Sequence, residues 1–242
     1  MALTGRHVSL EGGDVRVHGH FGRPLLAFPS EQGRADQYEE RGMIDAVGDL
    51  VEAGRVKIYC VDSWDAGTWH DRSLPLEERA LRHEVYERWL LERVVPFVHD
   101  DVGGPQEILV TGPSFGAYHA ANLALRRAHL FPVAICQSGV YDVSVVGWGE
   151  RGDAAYFHNP MDYVAHLGGE HLDWLRGQAT IVLTVGRGQW EDTTGALEST
   201  QRFAGLLAEK GIRHELDVWG DEWPHDWDSW RAQLAAHLPR FV

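Results

Sequence analysis

The sequence predicts an α/β fold, with a mostly parallel central sheet, helices on both its faces and an antiparallel hairpin at its start. Three observations point there. Six short apolar runs rich in Val, Ile and Leu recur along the chain, continuous rather than alternating, as strands buried on both faces are. Stretches with apolar residues at helical spacing separate them, so the connections are crossovers that keep neighbouring strands parallel. Ahead of them, the alternating segments HVSL and DVRVHGH flank Gly12-Gly13, a hairpin signal. At 242 residues the chain has the length of one α/β domain, and residues 1–242 are expected to form a single one.

Taken in order, the first apolar run is PLLAFPS (24–30), ending at a turn. A helix is expected over 36–54, with Asp36 as N-cap, Met43, Ile44, Val47, Leu50 and Val51 at helical spacing and Gly54 as the stop. The strand VKIYCVD (56–62) follows, then a polar loop over 63–75 carrying two tryptophans. A long helix covers 76–101, with Leu81, Val85, Trp89 and Leu90 on one face and a kink expected at Pro96. EILVTG (107–112) is the next strand and GAYHAANLALRRA (116–128) the helix after it. PVAICQSG (132–139) is a strand, and 140–178 reads as irregular apart from a helical piece at NPMDYVAHL. TIVLTVG (180–186), a helix over 194–210, HELDVWG (214–220) and a last helix over 226–238 complete the chain.

Composition narrows the partners. The formal charge is -14 with no basic stripe, which argues against nucleic acid and anionic membranes. No apolar run reaches membrane-spanning length, and MALTGRHVSLEGG lacks the apolar core of a secretory leader, so the cytoplasm is the expected compartment. The two cysteines, Cys60 and Cys136, lie in apolar strands and read as buried free thiols. No phosphate-binding or dinucleotide fingerprint occurs, and neither His18/His20 nor His166/His171 has ligand spacing, so no cofactor or metal is expected. A homodimer is the default expectation for the assembly.

In parallel sheets of this kind, ligands bind outside the C-terminal ends of the strands. After EILVT comes Gly112-Pro113-Ser114-Phe115-Gly116, then a helix. A serine between glycines is an ordinary helix N-cap, but strand, G-x-S-x-G and helix in succession is the context of a nucleophile elbow. Small residues two before and two after the serine are needed because the turn brings strand and helix backbones together. Such a serine needs a base, and the base needs a carboxylate, in the chain order serine, acid, histidine. After TIVLTV, the loop GRGQWED offers Glu191 as the acid, with Asp192 its rival. Charges that merely favour a helix N-terminus would look the same. After HELDVW, the loop GDEWPHDW places His225 before the last helix. The backbone N–H of Phe115 is the first expected oxyanion donor, and that of Glu31, after PLLAF, the second. Trp64, Trp69, Trp148, Trp190 and Trp223 fall in loops after strands and are expected to line a cleft, with Phe115 contributing to an acyl pocket.

These pieces resemble the esterase-D-like branch of the α/β-hydrolase superfamily, which includes S-formylglutathione hydrolases, feruloyl esterases and antigen 85 mycolyltransferases. The resemblance rests on TGPSFGAYHAANLALRRAHLFP, YFHNPMDYV, VGRGQWED and HDWDSWRAQL, in order over about residues 7 to 240. Its last piece carries a histidine ahead of W-x-x-W, here His225, Trp227 and Trp230. Pro113 departs from the small residue that relatives often carry there. The resemblance implies a serine carboxylesterase acting on a small-molecule ester, with Ser114 as nucleophile, His225 as base and Glu191 as acid. Acyl transfer by the same triad is the first alternative, and a catalytically idle binding protein the second.

Overall fold

A computed structural model describes residues 5–242; residues 1–4, where the segment read for a leader begins, lie outside the described residues. The chain opens with the expected hairpin, β1 (Arg6–Leu10) and β2 (Gly13–His18). β3 (Arg23–Ala27), the short helices α1 (Gln37–Glu40) and α2 (Gly48–Glu52), and β4 (Val56–Val61) follow. Next come α3 (Leu76–Trp89), α4 (Val95–Val102), β5 (Leu109–Pro113) and α5 (Phe115–Arg126). Beyond them lie β6 (Val133–Gln137), α6 (Asp153–Phe157), α7 (Pro160–His166) and α8 (Gly169–Gln178). β7 (Thr180–Val185), α9 (Ala196–Glu209), β8 (His214–Val218) and α10 (Trp227–His237) end the chain.

All eight strands join one sheet in the order β1-β2-β4-β3-β5-β6-β7-β8. β1 and β2 pair antiparallel, β2 joins β4 antiparallel, and every later pairing is parallel. Side-chain alternation sorts the apolar runs between the two faces. Leu26, Phe28, Val110, Ala134 and Leu183 pack with α3, α4, α5, α8 and α9 on one side. Leu25, Ala27, Ile58, Leu109 and Val182 pack with the 36–54 segment and α10 on the other. Both faces being covered is why these strands read as unbroken apolar runs. Cys60 and Cys136 are buried free thiols on opposite faces, and burial pushes both thiols up in pKa. No helix of the described residues is long and apolar enough to cross a membrane.

Three local expectations need correction, and the chain ahead of Pro96 takes a form of its own. The 36–54 helix is broken into α1, a 3-10 turn at Asp45–Val47 and α2, and Asp36 makes no side-chain cap. Gly42 at φ +69° interrupts it, yet Met43, Ile44, Val47 and Val51 are buried as their spacing suggests. On α3, Leu81 and Val85 are exposed, while Arg79, His83, Tyr86 and Glu87 are buried. Trp89 and Leu90 are buried as expected, but the Arg79 guanidinium donates to the carbonyls of Trp69, Leu74 and Val146, so part of the buried face is polar and apolar periodicity misplaces the first two turns. Ahead of Pro96, the chain forms a π-helical turn over Leu90–Val94, the wider turn accommodating a residue with no N–H to give. Finally, 140–178 holds a 3-10 turn and three helices. Glu77 of α3 accepts from the N–H groups of Gly152, Ala154 and Ala155 at 2.8, 3.0 and 2.9 Å, so α6 is capped from another helix and its start has no local signal.

Leu26, on a central strand and wholly buried, tests the core. Leu26→Ala should lower unfolding free energy by about 2–5 kcal/mol, read as a drop in the urea midpoint at unchanged slope.

Candidate active site

The site is built from the C-terminal ends of β3, β5, β6, β7 and β8. β5 stops at Pro113, and Ser114 turns the chain with φ 54° and ψ -121°, a conformation few L-residues adopt. Its N–H donates to the carbonyl of Gln137 at the end of β6 at 2.8 Å, which pins the turn. The flanking glycines are required as the spacing suggests. A Cβ on Gly112 would lie 2.5 Å from the Gly116 backbone, and one on Gly116 would lie 2.3 Å from the carbonyl oxygen of Pro29. Thus the serine turn, the first turn of α5 and the loop after β3 meet at backbone distance.

Ser114 Oγ lies 3.0 Å from His225 Nε2, and His225 Nδ1 lies 3.0 Å from Glu191 Oε2. Residues separated by up to 111 positions are thereby brought into one continuous chain of contacts. Glu191 is wholly buried, and its other oxygen accepts from Ser138 Oγ at 2.5 Å and from the Gly186 N–H at 3.2 Å. Asp192 is exposed and accepts from the Thr193 N–H instead, so of the two candidate acids only Glu191 faces the histidine.

The two loops that carry Glu191 and His225 are locked together through glycine. A Cβ on Gly186 would meet the carbonyl oxygen of Trp223 at 2.0 Å, and one on Gly188 would meet it at 2.6 Å. The Gly188 N–H donates to that carbonyl, and the His225 N–H donates to the carbonyl of Gln189, both at 2.9 Å. Asp226 then caps α10 by accepting from the Trp227 N–H at 2.7 Å. The Trp230 ring stands edge-on to the His225 imidazole at 5.0 Å, with Trp227 edge-on to Trp230.

The loop 30–32 is held in a way that leaves one amide free. The Ser30 N–H donates to Gln37 Oε1 at 2.8 Å and the Gln32 N–H to Asp65 Oδ2 at 3.2 Å. Between them, the Glu31 N–H has no partner among the described residues, and neither has the N–H of Phe115 at the start of α5. Asp65 is buried, and its other oxygen lies 2.8 Å from Nε2 of His119, itself buried in α5. Burial alone would raise the Asp65 carboxyl, but the His119 imidazole, His70 and the Gln32 amide outweigh it and hold it below the usual carboxylate range. His70 reaches the Glu31 side chain at 3.2 Å and stands edge-on to Phe115.

Sequence reading missed Ser138, Asp65 and His119. Ser138 was within reach of the strand-end rule, since it directly follows β6. Asp65 and His119 carry no such signal, being paired only by the fold. The tryptophans do not gather as expected. Trp69 is wholly buried with Leu76, Phe115 and Tyr118, Trp64 stacks on Trp89, and Trp223 packs against Trp219. Of these five, Trp148 and Trp190 are exposed, and Phe115 is buried against Tyr118. Among the described residues, four non-glycine residues have left-handed φ: Gln32, Ser114, Ser138 and Trp190, each directly at or beside one of these contacts.

No curated protein matches the chain. Among solved structures, it is similar to a ferulic acid esterase, with a TM-score of 0.73 at 15% identity, over 97% of this chain and 95% of that one. It is similar also to an S-formylglutathione hydrolase from Agrobacterium tumefaciens, with a TM-score of 0.71 at 14% identity, over 99% and 95%. A fluorophosphonate-binding serine hydrolase of Staphylococcus aureus superposes with a TM-score of 0.67 at 13% identity, over 98% of each chain. At these identities the likeness is one of fold, and the fold is that of the α/β-hydrolases. The family model described as "Putative esterase" matches residues 26–241, and the chain belongs to that family.

Proposed function

We propose that the protein is a serine carboxylesterase that cleaves small-molecule esters through an acyl-enzyme. The observation that carries the reading is the unbroken line Ser114 Oγ, His225, Glu191, with 3.0 Å at each step. In this reading His225 Nε2 takes the proton of Ser114 as Oγ attacks the ester carbonyl carbon. Glu191 holds the imidazole by Nδ1 and stabilises the cation that forms. The amides of Phe115 and Glu31 receive the negative charge on the carbonyl oxygen. His225 returns the proton to the leaving alcohol as the tetrahedral species collapses. Water then attacks the acyl-Ser114 carbonyl with the same base, releasing the acid and the free serine. Membership of the esterase family supports the reading. A strained turn for the nucleophile supports it further, because such conformations cluster at functional sites.

A fluorophosphonate probe should label the protein at Ser114 and leave Ser114→Ala unlabelled. On p-nitrophenyl acetate, that variant should lose about 10,000-fold or more in kcat. Labelling that survives the substitution would sink the assignment. Glu191→Gln should cost about 10,000-fold in kcat, as other acids that orient a catalytic histidine do, while Asp192→Asn stays within about twofold of the parent. Comparable losses in both would mean that the acid is not Glu191. Asp65→Asn should lower kcat by about tenfold or more with KM within about threefold, since a displaced Gln32 amide misplaces Glu31 N–H only where charge develops. A purely structural Asp65 would instead lower the melting temperature and leave kcat per folded molecule intact. With water and an alcohol supplied together, the free acid should dominate the products.

A further inference from the structure

We propose that His83, Glu87 and His158 form a divalent-cation site, of a chemistry that suits zinc, sharing no residue with the Ser114 site. His83 and Glu87 stand four residues apart on α3 and therefore on one helix face, and His158 ends α6 against them. One donor atom from each lies within 4.8 Å of the others. All three residues are buried, at 3%, 5% and 0% exposure. Buried polar atoms nearly always find partners, yet His83 Nδ1 and Glu87 Oε2 have none within hydrogen-bond geometry, and His158 Nδ1 accepts only a long contact from the Asn122 side-chain amide at 3.4 Å, which a bound ion would replace.

The two oxygens of Glu87 are in different surroundings. Oε1 accepts from Arg126 at 3.3 Å and lies 3.4 Å from Arg127. Oε2 lies 3.6 Å from His158 Nδ1, too far for a hydrogen bond and close to the ~3.4 Å that separates two ligands sharing a tetrahedral zinc at ~2.0–2.1 Å each. Arg126 Nε pairs ionically with that same Oε2 at 3.2 Å, off the line of a hydrogen bond, and a bound ion would take its place. His158 Nε2 faces Glu84 Oε1 at 3.8 Å, a carboxylate placed to orient the ring once Nδ1 is engaged. Burial pushes both imidazoles down in pKa, His158 to about 3, which leaves them in the neutral form that coordinates a metal. A cleft of about 300 Å³ lined by Glu84, Glu87, Arg126, Arg127 and His158 gives an ion its way in and a fourth position for water. The two guanidiniums oppose a cation. They are partly exposed and bound to the carboxylate, so screening by solvent and salt limits their repulsion.

The test is a titration of the chelator-stripped full chain with zinc ion alone, by calorimetry near neutral pH. One equivalent should bind at micromolar affinity or tighter, equally in His225→Ala. His158→Gln and Glu87→Gln should each weaken binding by about tenfold or more. Arg127→Gln should tighten it several-fold, which a site elsewhere would not do. If the buried substitutions unfold the chain, the unmodified protein still decides. Its cobalt complex should show the intense visible bands of a four-coordinate ion, and crystals soaked in zinc should give an anomalous peak between the three side chains. No stoichiometric binding, binding lost in His225→Ala but kept in His158→Gln, or an anomalous peak elsewhere would each overturn the proposal.

Discussion

A carboxyl group with no solvent exposure, that of Glu191, is the constraint on which the upper edge of this molecule depends. Removing such a group from water costs several kcal/mol unless its lone pairs are met. Here Ser138 from the end of β6, Gly186 from the end of β7 and His225 from the loop before α10 meet them. Satisfying one buried acid therefore aligns three strand ends. The arrangement is cooperative in the physical sense that withdrawing any of the three leaves the others facing an unpaired charge.

Backbone proximity completes what that acid begins. Gly112, Gly116, Gly186 and Gly188 each sit where a methyl group would overlap a neighbouring main chain. The first pair lets α5 and the loop after β3 close on the serine turn, and the second lets the acid loop close on the histidine loop. Side-chain packing could not bring these segments so near, because a side chain is itself the spacer. The Asp65–His119 pair performs a related task from below, tying the loop 30–32 to the same helix that begins at the serine.

The strands were legible because each is buried on both faces, and an unbroken apolar run has few other readings. That Ser114, His225 and Glu191 meet was legible because the proposed chemistry would need them at strand ends in a set order. What escaped was whatever is satisfied at long range. α6 is invisible locally because Glu77 caps it, and on α3 the polar Arg79, His83 and Glu87 are buried while Leu81 and Val85 are exposed. The break at Gly42 was misread for a related reason: Met43, Ile44 and Val47 keep helical spacing across it, since spacing reports burial and not hydrogen bonding. Asp65 lay in a loop that offered no pattern at all, and only the folded chain supplies its histidine.

The left-handed conformations of Gln32, Ser114, Ser138 and Trp190 have a consequence for how this protein can change. Each costs about 1–2 kcal/mol relative to an ordinary conformation, against a typical total stability of about 5–15 kcal/mol. Those four positions thus draw on the stability that the core supplies. Glycine or asparagine at such positions would relax the backbone and raise stability. At Ser114, in the proposed reading, such a gain would remove the nucleophile itself.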